Sequence, residues 1–210
     1  LQAAGNYYAS RPDDASTMNT NAVWIATESA LADTKKIDKL QSEIATLRSQ
    51  MSKYDETSED FQSLADEVNS KLIEVLSTGT DIFNQMDVIF QTYKNQFERD
   101  VNQYLTSVSD MQHILGLINE DAYVDKSGKI TEQGNAAIAL TASMINDSKN
   151  AMEAYRVAID EVRKAREKEL ISENDANDLI LEYTQNIQNE VSQIDDLKES
   201  ILSIYKTQLE

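Results

Sequence analysis

The segment 119–134 carries acidic and hydroxyl side chains whose spacing invites comparison with an EF-hand calcium loop. Placing Gly128 at the required glycine of such a loop leaves Asp125 at a ligand position. The same alignment puts Tyr123 where the first aspartate belongs and Gly134 where the bidentate glutamate belongs. Because both end ligands are missing, the sequence predicts a turn in this segment and no metal site.

Histidine and cysteine chemistry is almost absent from the chain. His113 is the only histidine, whereas a di-iron site in a helical bundle needs Glu-x-x-His on two helices. There is no cysteine, which excludes thiolate metal sites, disulfides and cysteine nucleophiles. No phosphate-binding glycine loop, nucleophile elbow or dinucleotide fingerprint occurs. The sequence therefore predicts a non-enzymatic protein without catalytic residues or a cofactor, in which His113 lies on the surface or in the packing of a helix.

The charge of the chain limits the partners it can bind. Its 37 acidic residues outnumber 19 basic ones, for a net charge of −18. Such a field repels phosphate backbones and anionic lipid, which predicts no binding to nucleic acid. No apolar run approaches the roughly 18–20 residues that span a bilayer, so no stable membrane insertion by this chain is expected. Basic proteins or cations are the partners that this charge favours.

Long stretches of the chain have the apolar periodicity of helices. No glycine or proline occurs between Asp13 and Thr78 or from Asn135 to Glu210, and apolar residues there recur every three or four positions. The first series is Val23, Ala26, Ala30, Ile37, Leu40, Ile44, Leu47 and Met51; the second is Phe61, Leu64, Val68, Leu72, Val75 and Leu76, continuing as Ile82, Met86, Ile89 and Tyr93; the last is Ala176, Ile180, Tyr183, Ile187, Ile194, Leu197, Ile201 and Ile204. Glu190 is a charged member of that last series. The pattern predicts an all-α fold, an elongated bundle of long antiparallel helices with coiled-coil-like seams.

Capping residues and glycines place the ends of these helices. We expect a flexible leader over residues 1–20 and a single domain over 21–210, with helices at about 21–53, 58–77, 81–118, 135–169 and 173–207. Thr57 or Ser58 and Ser172 can cap the helices that follow them. Gly79 costs a helix only about 1 kcal/mol relative to alanine, so one long kinked helix over 58–118 is an alternative to two. Residues 122–131 predict a small β-hairpin turning at Gly128.

Among the apolar residues outside the main apolar series, five are the first place to look for a partner surface. They are Phe83, Phe90, Leu105, Leu202 and Tyr205. A helix of 33 residues is about 50 Å long, more than a compact domain needs to cover its core. These five residues are therefore the candidate partner interface, and the alternative is that they widen the intramolecular core.

The layout of the chain suggests a function. It combines a polar leader, a helical hairpin with an acidic Ser/Thr turn, long pairing helices, a small β insertion and a cysteine-free acidic surface. In this layout it resembles the needle-tip and translocator proteins of bacterial type III secretion. The resemblance implies a secreted, virulence-associated protein that acts by helical self-assembly or by binding a protein partner. The alternative is an extracytoplasmic ligand-sensing helical bundle of a receptor.

Overall fold

The computed structural model describes residues 20–209, so that the predicted leader lies, except for its last residue, outside the described part of the chain. The helices are α1 (Thr20–Met51), α2 (Glu59–Leu115), α3 (Glu132–Glu167) and α4 (Glu173–Leu209). Together with a short 3₁₀ turn they make 87% of the described residues helical, and no strand occurs among those residues. The prediction of an all-helical bundle is therefore confirmed.

Hydroxyl side chains start three of these helices, two of them at residues that the sequence predicts as caps. Ser58 Oγ accepts a hydrogen bond from the Phe61 amide at 3.2 Å, just before α2. Ser172 Oγ accepts from the Asp175 amide at 3.1 Å, just before α4. Thr131 caps α3 by accepting from the amide of Gly134 at 3.1 Å. Each of these bonds satisfies an amide that has no partner within its helix.

The helix α2 is continuous, so the prediction of two helices over 58–77 and 81–118 is wrong and the single-helix alternative holds. Gly79 lies inside it, and a side chain at this position would meet no atom within 4 Å. The buried face of the helix continues past the glycine, since Thr78 and Ile89 are both buried. A glycine that lowers helix propensity by only about 1 kcal/mol does not end a helix whose packing continues on both sides.

The predicted β-hairpin over 122–131 is also wrong. A 3₁₀ turn occupies Glu120–Ala122, and a single antiparallel bridge joins Val124 to Ile130. The chain between these two residues is a turn in which Gly128 has the positive φ that the sequence predicts, 80°. Pairing stops after one bridge because Thr131 is already the cap of α3. The segment that would form the second strand of the hairpin is therefore too short for further pairing.

A glutamate occupies a position that usually holds glycine at the end of α3. Glu169 has φ 58°, in the left-handed region. Its amide donates to the Arg166 carbonyl at 3.0 Å, and the Leu170 amide donates to the Ala165 carbonyl at 2.9 Å. This pair of bonds is a Schellman motif, which reverses the chain toward α4 and buries Leu170.

The described chain divides into two compact units, one ending at Gln96 and the other beginning at Phe97, within α2. The interpretation of residues 21–210 as one domain stays a prediction. In unit 1, α1 runs antiparallel to the first part of α2, since residues late in α1 contact residues early in α2. Ile44, Leu47 and Val68 form a core cluster against which Val75 packs. Further along, Ser29 of α1 accepts a hydrogen bond from the Gln85 amide group at 2.7 Å.

Unit 2 contains the rest of α2 together with α3 and α4. Near the turn, Arg166 donates to the Asn177 side chain at 2.9 Å, which sets α3 and α4 antiparallel. Five buried residues of α3 are spaced by seven positions, and four of them are alanine. They are Ala137, Met144, Ala151, Ala158 and Ala165. Small side chains at this spacing let a neighbouring helix approach closely along one face.

Candidate functional site

An exposed row of apolar side chains on α2 in unit 1 is the first candidate site. We call it the α2 stripe, and its members are Leu72, Leu76, Phe83, Met86 and Phe90. Leu76 and Phe83 are each 72% exposed, while Phe90 is half-buried. The steps of four, seven, three and four residues keep all five on one side of the helix. Large side chains exposed in a row, rather than singly, mark a contact surface.

The α2 stripe is distinct from the buried face of α2, which is formed by Val68, Thr78 and Ile89 together with the partly buried Val75. Two stripe residues directly follow a member of this face in the chain. At 3.6 residues per turn the two faces therefore lie about a quarter turn apart. One face of α2 is thus apolar and covered, and a second face is apolar and open to solvent.

The border of the α2 stripe is nearly uncharged, in a chain whose net charge is −18. Between Leu72 and Phe90 the charged residues are Glu74, Asp81 and Asp87. Glu74 and Asp81 lie about half a turn from the stripe by helix geometry. Glu74 forms an ion pair with Lys36 of α1 at 3.0 Å, which is consistent with that placement. Only Asp87 lies beside the stripe.

A shallow groove of about 420 Å³ lies between α1 and α2 of unit 1. Glu43, Glu67 and Lys71 line it, and Lys71 Nζ contacts a Glu43 carboxylate oxygen at 2.8 Å. The hydrogen bond from Lys71 lowers the pKa of Glu43. Two of the charged groups that line the groove, Glu43 and Lys71, therefore already pair with each other, and the groove offers less for a partner than the α2 stripe does.

The structure separates the five predicted interface residues between the two units. Phe83 and Phe90 lie together on the α2 stripe of unit 1. Leu202 and Tyr205 lie together on α4 of unit 2 and are 49% and 45% exposed. Leu105, also in unit 2, is half-buried. The first pair belongs to the larger exposed row.

Three members of the α2 stripe were not predicted from the sequence. The apolar periodicity assigns Leu72, Leu76 and Met86 to the core, but the structure exposes all three. Their places on the buried face are taken by residues that include Thr78, a polar residue whose side chain is almost fully buried. A second heptad-like series, which includes Thr78, is the sequence signal that could have predicted the buried face. It would have left these three residues exposed.

A buried group of polar and aromatic side chains in unit 2 is the second candidate site. Tyr183 of α4 donates its hydroxyl to the Glu98 carboxylate of α2 at 2.9 Å. Its ring lies 5.7 Å from that of Tyr155 of α3, tilted by 40°. Burial, together with the hydrogen bond to Glu98, raises the pKa of Tyr183. These tyrosines are therefore neutral hydrogen-bond donors rather than acids or bases near neutral pH.

Glu190 lies in the same interior and is 8% exposed. Burial raises its pKa, and the nearby Ser148 hydroxyl partly offsets that rise. Neither Ser148 Oγ nor Glu190 Oε2 makes a hydrogen bond of normal length to the described part of the chain. The sequence singles out Glu190 as a charged residue in an apolar series, and the structure places it in the core.

The turn 125–129 uses its acidic side chain for internal hydrogen bonds. Asp125 Oδ1 accepts from the Ser127 hydroxyl at 2.6 Å, the Ser127 amide at 2.8 Å and the Lys129 amide at 3.1 Å. These bonds, the Ser127 hydroxyl first among them, lower the pKa of Asp125. Across residues 20–209, no three histidine or acidic side chains are grouped as a metal site.

None of the helices in the described part of the chain is both long enough and apolar enough to cross a membrane. No protein-family model, curated protein or solved structure matches the sequence.

Proposed function

We propose that this protein acts through protein–protein contacts rather than by catalysis, by self-assembly or by binding a partner along its helices. The α2 stripe carries the proposal. Its members include two of the residues that the sequence marks as a partner interface, Phe83 and Phe90, and its outermost side chains are largely exposed. An apolar row of this kind gains free energy when another surface removes it from water.

Coiled-coil packing is the form of contact that the stripe favours. Its members are spaced by threes and fours, or by seven where Gly79 intervenes, as in the contact face of a coiled coil. The cysteine-free, acidic composition and the helical layout support a secreted or extracytoplasmic bacterial location. A role like that of needle-tip and translocator proteins of type III secretion, and hence an association with virulence, is part of this proposal.

Paired serine substitutions test the stripe. Leu76→Ser with Phe83→Ser removes its two most exposed side chains, and we expect loss of self-association or partner capture with helicity unchanged. The matched control is Leu117→Ser with Val157→Ser, since these residues are also exposed, at 75% and 53%, and lie off the stripe. Solution mass by light scattering and capture with purified bait are the readouts. Equal behaviour of the two double variants would falsify the proposed surface.

The ligand-sensing bundle of an extracytoplasmic receptor is the second candidate. It is favoured by the convergence of Tyr155, Tyr183 and Glu98 in the interior of unit 2, with a buried carboxyl of Glu190 that lacks a full set of partners. A small-molecule screen by thermal shift tests it. A ligand that raises the melting temperature in the wild type, and not after Tyr183→Phe and Glu190→Gln, would favour the receptor over the interaction protein.

A further inference from the structure

We propose that the partner of the α2 stripe is the α2 stripe of a second copy of this chain, packed antiparallel so that Phe83 of each copy lies over Gly79 of the other. The inference rests on the proposed function and names its partner. A two-fold interface uses the same surface on both copies, so the stripe must be complementary to itself when reversed.

The members of the stripe meet that requirement. A two-fold axis level with Asp81 pairs residues that lie equally far from it along the helix. Leu72 then lies opposite Phe90, and Leu76 opposite Met86. The two central positions, Gly79 and Phe83, lie opposite each other in both halves of the interface. Every large side chain of the stripe therefore finds an apolar neighbour, and the most exposed ring finds a position without a side chain.

Gly79 supports this register because nothing in residues 20–209 needs a glycine there. A side chain at Gly79 would meet no atom within 4 Å, and the residue has no positive φ. Glycine in the interior of a helix weakens that helix. Close approach of a bulky group from outside is a use for a missing side chain, and Phe83 is a bulky group at the right distance from the axis.

The charges near the stripe allow two acidic chains to meet on this face. Glu74 and Asp81 lie on the other side of α2, and Glu74 is already paired with Lys36. Asp87 is the remaining charge of this segment, and the axis places the two copies of Asp87 about 12 residues, or about 18 Å, apart along the helices. That distance exceeds the Debye length of about 8 Å in physiological salt. A basic partner would gain little from a border this poor in charge.

The size of the stripe sets the expected strength of the dimer. From Leu72 to Phe90 it is about 27 Å long. Five apolar side chains from each copy make an interface at the small end of the range for specific complexes. We therefore expect a monomer–dimer equilibrium that depends on protein concentration.

Complementary substitutions test the register with the full chain. Phe83→Ala leaves a hole opposite Gly79, and Gly79→Phe sets two rings against each other. Each variant alone should dimerise about tenfold more weakly than the wild type in sedimentation velocity. In an equal mixture every contact pairs one ring with a glycine or an alanine, so the mixture should recover most of the wild-type affinity. Leu117→Ala, outside the stripe, is the control, and circular dichroism verifies that each variant is helical.

The outcomes separate this inference from the proposed function. Recovery of dimerisation in the mixture supports the pairing of Phe83 with Gly79. A wild type that dimerises while the mixture stays as weak as its components overturns the register. A wild type that is monomeric at every concentration, yet captures another protein through Leu76 and Phe83, overturns the self-pairing and leaves the proposed function standing. If neither association depends on the stripe, both fall.

Discussion

Units 1 and 2 are built from the same kind of amphipathic helix, yet they place their apolar residues differently. In unit 1, α1 covers one face of α2 while Leu76 and Phe83 on the next face stay exposed. In unit 2, α3 and α4 both supply polar contacts to the rest of α2, through Asp147 with Ser107 and through Tyr183 with Glu98. Among the described residues of unit 1, α1 is the helix that packs on this part of α2, and the second face of α2 stays exposed.

The polar side chains show the reverse contrast. Unit 1 keeps its ion pairs near the surface, as between Lys36 and Glu74, where both side chains are about half exposed. Unit 2 buries a carboxyl, that of Glu190, beside the Ser148 hydroxyl without normal hydrogen bonds, whereas the buried polar side chains of unit 1, such as Thr78, are uncharged. Unit 1 therefore exposes apolar side chains on α2, and unit 2 buries an ionisable carboxyl.

Alanine substitutions should have the largest effects on the free energy of unfolding, and these effects should differ between buried and exposed positions. Leu47→Ala in unit 1 and Ile194→Ala in unit 2 remove buried side chains, so each should lower the free energy of unfolding by about 2–5 kcal/mol. Leu76→Ala removes an exposed side chain of similar size and should change the monomer by less than about 0.5 kcal/mol. Urea unfolding at low protein concentration measures all three. Equal losses for Leu47 and Leu76 would mean that Leu76 is as deeply buried as a core residue of unit 1.

Replacing the buried carboxyl of unit 2 should have the next largest effect, and it should be stabilising. Glu190→Leu keeps a similar volume and removes a group whose carboxyl oxygen lacks a partner, so we expect about 1–3 kcal/mol of added stability at pH 8. Glu199→Leu, at an exposed position on the same helix, is the matched control and should change stability little. Urea unfolding compares them. A loss of stability in Glu190→Leu would show that the carboxyl is satisfied in solution.

The effect of Glu190 should depend on pH in a defined direction. Burial raises its folded-state pKa above the unfolded value, so the folded protein holds the proton more tightly. Stability contributed by this group is therefore greatest below the unfolded pKa and is lost as pH rises through the folded pKa. The advantage of Glu190→Leu over the wild type should accordingly shrink as pH falls toward 4, the unfolded value for glutamate being about 4.3.

The local rules that place helices were sufficient for most of the fold. Ser58, Thr131 and Ser172 cap helices because short hydroxyl side chains reach the free amides of the first turn, an interaction within a few residues. The same local rules failed where tertiary packing decides. Gly79 did not break α2 because the buried face continues beyond it, and the hairpin over 122–131 was shortened by the start of α3.

The candidate site was harder to predict, because periodicity shows which residues share a face and not which face is covered. Phe83 and Phe90 were found since they leave the main apolar series. Leu72 and Leu76 were placed in the core because the alternative series includes Thr78, which a hydropathy pattern assigns to the surface. The contact between Tyr183 and Glu98 joins residues 85 positions apart, and nothing in the local sequence encodes it.

A smaller effect is expected at the turn of unit 2 between α3 and α4. Glu169 has a positive φ that costs a residue with a side chain more than glycine. Glu169→Gly should therefore raise the free energy of unfolding by about 1 kcal/mol, despite the added entropy of the unfolded chain. Glu167→Gly, at the last residue of α3, is the opposite control and should destabilise the protein. Thermal unfolding of the two variants measures the difference, and a lower melting temperature for Glu169→Gly would contradict the Schellman geometry.

The smallest effect is expected in unit 1, where a glycine is replaced by alanine. Gly79→Ala adds a methyl group where no atom lies within 4 Å, so it should stabilise the monomer by about 0.5–1 kcal/mol through higher helix propensity alone. If Phe83 of a second copy packs over this position, the same methyl group should weaken association while it strengthens folding. Thermal unfolding at low concentration and sedimentation at high concentration measure the two effects separately. A variant that gains stability and associates as well as the wild type would show that a second copy does not pack against Gly79. The contrast between the exposed face of unit 1 and the covered helices of unit 2 would then rest on the other residues of the α2 stripe.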